Sequence, residues 1–382
     1  GAADAGACHG PRVPTRGSSQ PTRRRVLQGG AAGLVAAGLP GCADGRGDDS
    51  GLSPGAVDHV VVVMMENRSF DHYLGSLSLE EGWAIDGLTG EEQNPDLAGS
   101  PVGVFPLAEP CQSDPPHGWS SSHQQFAEGA NDGFVREHES RVGEGQGDWV
   151  MGYYRRDRLP GHYALADAFA VPERWFCSVL GPTWPNRFFG HAGTSMGRTG
   201  NSLPSSGFTD TTVYRALEEE GEDWRYYYTD VPFIGLLKDH WDGGRVRPVT
   251  DFFSAAERGD LPAFTWIDPG FGFNDDHPPH HPGLGQIFLG SIYEALARSP
   301  AWERCLLVIT YDEHGGFFDH VPPPTTEDDR EAEGFDRVGF RVPSLLVGPW
   351  VRQGVDATFY DHTSVLAYVC ERFGLEPWNR RI

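Results

Sequence analysis

The stretch DHVVVVMMENRSFDHYLGSL, residues 58–77, decides the fold. Its apolar run, residues 60–65, leads directly into Glu66, Asn67, Arg68 and Ser69. A continuous apolar run between polar residues reads as a strand buried on both faces of a parallel sheet, not as an alternating, half-solvated strand. Ligands of open α/β sheets gather beyond the carboxyl ends of such strands. Glu66 and Asn67 are thus placed where chemistry is expected, while Ser69 reads as the N-cap of a helix starting at Phe70. The plainer alternative pairs Glu66 with Arg68 and gives the stretch no functional role.

Outward from this strand, apolar runs alternate with helical patterns. Strands are predicted at residues 176–180, 224–229, 263–267, 306–311 and 344–347, and helices at 163–169, 212–220, 285–298 and 363–373. Such alternation predicts an α/β sandwich around a mostly parallel sheet. The polar, Gly/Pro-rich region 81–161 predicts long excursions over the sheet edge and the site rather than a domain of its own. One catalytic domain is expected over residues 56–382, preceded at 1–55 by a leader and linker.

That leader reads as an export signal. Arg23, Arg24 and Arg25 precede the Gly/Ala/Leu-rich residues 29–39, a twin-arginine pattern whose apolar part is too short for an ordinary membrane span. Leu39, Pro40, Gly41 and Cys42 then resemble a lipobox, although Pro40 is unusual there. The expectation is export to the cell envelope or the medium, with acylation of Cys42 and attachment to a membrane surface left open. In an oxidising compartment Cys111, Cys177, Cys305 and Cys370 can pair; Cys177 and Cys305 fall in apolar runs and read as core residues.

The formal charge is -24, from 30 Lys+Arg against 54 Asp+Glu, which excludes an ordinary nucleic-acid binder because a phosphate backbone demands a cationic face. It says little about substrate, although carboxylates suit hard cations.

A second strand ends as the first does. Residues 305–324, CLLVITYDEHGGFFDHVPPP, carry a buried run into Asp312, Glu313 and His314. Adjacent carboxylates at a strand end repel unless a cation or a shared proton compensates them. Together with Glu66 and Asn67 they make four oxygen donors, a ligand set for a hard divalent metal of unspecified identity. In residues 179–193, VLGPTWPNRFFGHAG, Thr183 stands at a strand-to-helix turn, where a hydroxyl meets a ligand and the amides of a helix start. Thr183 can equally be a helix cap. His117 and His123, and His277, His280 and His281 beside Asp275 and Asp276, lie in loops and suit phosphate binding or proton transfer; His280 and His281 read better as loop residues without function.

These motifs resemble the bacterial phospholipase C and acid phosphatase family of phosphoesterases, within the alkaline-phosphatase-like superfamily. The resemblance rests on VMMENRSFDHYLG at 63–75, HGWSSSH at 117–123, GPTWPNR at 181–187, DDHPP at 275–279 and YDEHGGFFDHV at 311–321. It implies a three-layer α/β/α sandwich and one divalent metal held by Glu66, Asn67, Asp312 and Glu313. It further implies Thr183 as a transiently phosphorylated nucleophile, with Asn186 beside it and His117 and His277 at the phosphoryl or leaving group. The implied activity is phospholipase C action on phosphatidylcholine-like lipids. Phosphomonoesterase activity on a small phosphoester is the alternative, because the larger phospholipases carry additional C-terminal β domains. A non-catalytic surface lipoprotein on the same fold is a further alternative. A sulfatase is discounted, since no C/S-x-P-x-R pattern occurs near Thr183.

Overall fold

The computed structural model describes residues 57–382, except 204, 206, 239 and 241–243. The export signal and Cys42 lie outside the described residues. Those described belong to one compact unit, Gly51–Ile382.

In chain order the strands are β1 His59–Met65, β2 Gln93–Pro95, β3 Pro101–Gly103, β4 Phe105–Pro106, β5 Gly152–Tyr153 and β6 Ala170–Pro172, then β7 Trp224–Tyr228, β8 Val246–Pro248, β9 Phe264–Asp268, β10 Cys305–Tyr311, β11 Leu345–Val347 and β12 Gly354–Asp356. The helices are α1 Phe70–Leu74, α2 Ser76–Glu81, α3 Trp119–Phe126, α4 Phe134–Val142 and α5 Pro160–Ala168, then α6 Thr183–Ala192, α7 Val213–Glu220, α8 Val249–Arg258, α9 Pro282–Ala297 and α10 Thr363–Phe373.

The main sheet has the order β12-β6-β11-β10-β1-β9-β7-β8. β1 lies between β10 and β9 and runs parallel to both. β9–β7 and β7–β8 are also parallel, and only β11 runs antiparallel to its neighbours β10 and β6. Helices cover both faces. Tyr226 of β7 meets Tyr214 of α7, whereas the next residue, Tyr227, meets Phe252 of α8. Successive strand residues point to opposite faces, so α6, α7 and α10, which pack together, and α5, α8 and α9, which do likewise, form two outer layers. This is the α/β sandwich that the alternation predicts, in the three-layer α/β/α form that the resemblance implies. Residues 60–65 are buried throughout, as a strand covered on both sides requires.

At β1, Met64 packs so closely on α6 that a Cβ at Gly190 would lie 3.3 Å from its methyl and 3.0 Å from the Trp266 ring. Only a glycine lets the helix approach the sheet there.

Residues 176–180 do not form the predicted strand. Phe176 makes only an isolated antiparallel bridge to Arg341, and the segment continues as bends into α6. The run is buried, but its backbone pairs only piecemeal, the Phe176 amide donating to the Tyr360 carbonyl and the Cys177 amide to the Phe340 carbonyl, both at 2.9 Å. Region 81–161 holds two helices, α3 and α4, and two small two-stranded sheets. Cys177, Cys305 and Cys370 are buried free thiols and do not pair with one another. Among the described residues no helix is long and apolar enough to cross a membrane.

Candidate active site

Register brings the two acidic motifs together. Met65 of β1 pairs with Tyr311 of β10, so the next residues, Glu66 and Asp312, leave the sheet side by side. The turn after β1 takes Asn67 into the left-handed region, φ 61°, which its short polar side chain tolerates. The facing turn places Gly315 at φ 65°, where a Cβ would lie 2.1 Å from the Asn67 carbonyl oxygen. Glycine is therefore required for the two strand ends to close on each other. Ser69 caps α1, accepting from the His72 amide at 3.2 Å while its hydroxyl donates to the Phe318 carbonyl at 2.6 Å. Its oxygen is committed to structure.

Asp312 Oδ1 accepts the backbone amides of Asn67 (3.0 Å) and Glu313 (2.8 Å). Arg187 of α6 is fully buried and reaches Asp312 Oδ2 (3.1 Å), Glu66 Oε1 (3.1 Å) and Asp268 Oδ1 (3.3 Å). Glu313 Oε1 lies 2.5 Å from His117 Nδ1, and its Oε2 accepts from the Gly315 amide at 2.7 Å. The loop between β4 and α3 thus delivers His117 from the long excursion onto the end of β10.

The Asn67 amide is the most informative group here. One of its terminal atoms is 3.0 Å from Asp312 Oδ1 and 3.2 Å from Glu313 Oε1, and the other is 2.9 Å from His277 Nε2. Hydrogen bonding alone assigns nitrogen to the first position and oxygen to the second. With a cation among the carboxylates, oxygen suits the first position instead, and three oxygen donors then converge.

The charge balance points the same way. Glu66, Asp268, Asp312 and Glu313 are buried carboxylates, and the cations among them are Arg187 and, once protonated, His117. Burial, reinforced by Glu313 and only partly offset by Arg187, raises the Asp312 carboxyl to about 7. Burial and then the Asp312 charge push Glu66 well above the usual carboxylate range. Glu313 goes the other way: burial opposes its ionisation, but His117 and His314 outweigh it and hold the carboxyl at about 2. His117 is correspondingly driven well above its ordinary value, Glu313 overcoming the burial that opposes its charge. Burial, with the neighbouring carboxylates, disfavours the charge on both carboxyls, and a hard divalent cation among them would compensate it. The donors Glu66, Asn67, Asp312 and Glu313 fit such an ion. Asp114, His117 and His277 form another donor group, with ligand atoms within 4.8 Å of one another.

Thr183 opens α6, behind Pro182 as N-cap. It is not the cap itself, and among the described residues no protein group hydrogen-bonds its hydroxyl. Four residues on, Arg187 lies on the same helix face and binds Glu66 and Asp312. The first turn of α6 is thereby fixed relative to the strand ends. Asn186 instead binds the backbone around it. Its Oδ1 accepts from the Val179 amide (3.0 Å), and its Nδ2 donates to the Gly181 carbonyl (2.9 Å) and the Pro182 carbonyl (3.2 Å). It holds the turn that presents Thr183. His280 pairs with Asp275 at 2.6 Å, and His281 caps α9 through the Gly283 amide; both are structural.

Sequence reasoning missed Arg187, Asp268, His314 and His362. His314 Nε2 donates to Gln125 Oε1 (2.7 Å) and its Nδ1 flanks Glu313 (3.3 Å), and His362 Nε2 donates to the Asp312 carbonyl at 2.7 Å. Only Arg187 carried a usable signal, being one helical turn after Thr183.

Comparison with known proteins bears on the family. The Phosphoesterase family matches residues 57–376. Non-specific phospholipase C1 of Arabidopsis thaliana is 35% identical over 367 residues, covering 84% of this chain and 68% of its own. Phospholipase C B of Mycobacterium tuberculosis is 32% identical over 433 residues, covering 94% of this chain and 82% of its own. Among solved structures, a protein in the alkaline phosphatase superfamily from Vibrio parahaemolyticus aligns at TM-score 0.41 and 12% identity, over 60% of this chain and 63% of that one. That likeness is too loose to argue from, and the fold class stands on the strand order itself.

Proposed function

The chain belongs to the Phosphoesterase family, and from that membership we propose that it is an exported, metal-dependent phospholipase C acting through Thr183. The observation that carries the reading is the meeting of Glu66, Asn67, Asp312 and Glu313 at two paired strand ends, with Thr183 one helical turn from the Arg187 that binds two of them. Relatives named phospholipase C support a phospholipid substrate, with phosphatidylcholine-like lipids as the class. Residues 23–42 carry the case for export and for a lipid-anchored form at Cys42.

A divalent ion held by Glu66, Asn67, Asp312 and Glu313 would supply Lewis-acid neutralisation of charge on the phosphoryl oxygens and lower the pKa of an adjacent hydroxyl. The chain's own residues do the rest. The start of α6 offers the positive end of a helix dipole to the phosphoryl group. The Thr183 hydroxyl gives up its proton to solvent as its oxygen attacks phosphorus and the bond to the diacylglycerol oxygen breaks; that oxygen takes up the proton carried by His117, which is reprotonated from solvent. Water then cleaves the Thr183 ester, releasing the phosphorylated head group and regenerating the hydroxyl. Arg187 and Asn186 position the acidic donors and the turn without touching substrate.

Thr183→Ala should lower turnover of a soluble aryl phosphodiester by at least about 10³-fold, the order seen when a covalent nucleophile is lost. Undiminished turnover would sink the mechanism, and turnover of an aryl monoester but not the diester would replace the phospholipase reading with phosphatase.

A further inference from the structure

At the same end of the sheet as the acidic site lies an apolar rim, with the exposed carboxylate of Asp230 turned onto backbone amides of its own turns. Ile287 and Val231 are the most exposed large apolar residues among those described, at 68% and 64%, and Phe273 is 46% exposed. Val249, Phe253, Phe273, Leu284, Ile287 and Phe288 line an open groove of about 270 Å³, and no charged residue lines it. Its parts come from the segments that follow β7 and β9 and from the first turns of α8 and α9, on the side to which Glu66 and Asp312 point. Asp230 fixes them together, Oδ1 accepting the amides of Val231 (2.6 Å) and Phe271 (3.1 Å) and Oδ2 that of Gly272 (3.1 Å). Phe271 in the same turn lies over the Arg187 guanidinium at 4.9 Å. The turn that carries Phe271 and Phe273 thus links the rim to the residue that binds Glu66 and Asp312.

A contiguous exposed apolar patch needs a partner, and two observations choose it. That link to the phosphoryl site places the apolar part of a substrate at the rim. The formal charge of -24 repels an anionic surface, while the uncharged groove asks for a neutral one. We infer that Val231, Phe273 and Ile287 seat the protein on a zwitterionic phospholipid surface, with the active site facing the head groups. This rests on the phospholipase reading and extends it to how the lipid is met: the side chains enter the acyl boundary, and the Asp230-braced turn carries Phe271 to the site.

The test is co-sedimentation of the unacylated full chain with vesicles of phosphatidylcholine, alongside turnover of a soluble aryl phosphodiester. Wild type is expected to bind these vesicles and to bind less as phosphatidylglycerol is added. Phe273→Ser/Ile287→Asp should weaken vesicle binding by about tenfold or more, while soluble turnover stays within about twofold. Val231→Asp, in a different segment, should act in the same direction. Absence of wild-type binding, equal binding by the variants, or tighter binding to anionic vesicles overturns the inference. A variant that instead converts a dimer to a monomer in solution overturns it in favour of self-association. Vesicle binding without soluble turnover defeats the hydrolase reading and leaves the surface standing; turnover without vesicle binding does the reverse.

Discussion

The motifs at residues 63–75 and 311–321 each feed two buried charge clusters, and the clusters differ in balance. Nearest the strand ends, Glu66, Asp312 and Glu313, with Asp268, outnumber Arg187 and His117. A few residues further on, Asp71 and Asp319 meet Arg341 and His320. Arg341 donates to Asp71 Oδ1 (3.0 Å) and Asp319 Oδ1 (2.8 Å), and His320 Nδ1 lies 2.7 Å from Asp71 Oδ2. Arg341 also donates to the carbonyls of Asp86 (2.6 Å) and Glu173 (3.0 Å) and stacks on Phe70 at 4.4 Å, so its donors are all engaged. In the second cluster two buried acids meet two bases, with the exposed Asp86 carboxylate 3.1 Å from His320 Nε2 at its outer edge, and it ties β1's following helix to the 319–321 turn. Left open, the first has negative charge to spare, and Asn67 is poised between two assignments. Acidic residues in the same motif are thus balanced where the chain supplies their counter-charge and, where it does not, are the ones we propose as metal donors.

The contrast is best broken from the balanced side. Asp319→Ala should destabilise the protein by about 1–3 kcal/mol, because the buried Arg341 Nε loses its acceptor while Asp71 remains as the counter-charge; the measurement is denaturant unfolding, and no measurable change would mean the cluster is not balanced. The open side should respond in activity. Asp312→Asn is expected to lower phosphodiester turnover by at least about 100-fold, as loss of a metal-site group does. Its cation-free stability should change by less than about 1 kcal/mol, since a carboxyl raised to about 7 is already half neutral near pH 7.

A divalent cation at a hundredfold excess over its dissociation constant should add about 2.7 kcal/mol to wild-type stability. The gain should shrink as pH falls below about 7, where Asp312 holds its proton and competes with the ion. Thermal unfolding with and without chelator between pH 8 and 5.5 checks both points, and a pH-independent gain would argue for a ligand set without Asp312.

The smallest expected effect belongs to His320. Burial opposes its charge, but Asp71 overcomes that and raises the imidazole to about 9. A raised folded-state value means that its contribution is fully present below the unfolded value of about 6.5 and is lost as pH rises through about 9. His320→Gln should flatten the stability profile across that window and leave the profile below it parallel to wild type.

Much of this was readable in the chain. The run at 60–65 is buried on both sides because no polar residue interrupts it, and the alternation along the chain sets the layered fold. Glu66, Asn67, Asp312 and Glu313 stand out because acids at the ends of apolar runs have few structural uses. The run at 176–180 misled, since apolar composition reports burial and not strand pairing. Arg187 and Asp268 went unseen because their significance lies in partners 81 to 125 residues away in sequence. Asp71 and Asp319 look no different in sequence from Asp312, and nothing local separates them.

Sequence alone determined which segments are buried, where chemistry can sit on a parallel sheet, and which hydroxyl stands at a helix start, because these follow from local pattern and from the rule that ligands meet strand ends. Tertiary structure decided which acids are balanced. Charge compensation depends on distances of a few ångströms between residues far apart in the chain, and only the register of β1 against β10, with Arg187 brought in on α6 and Arg341 on its loop, sets those distances.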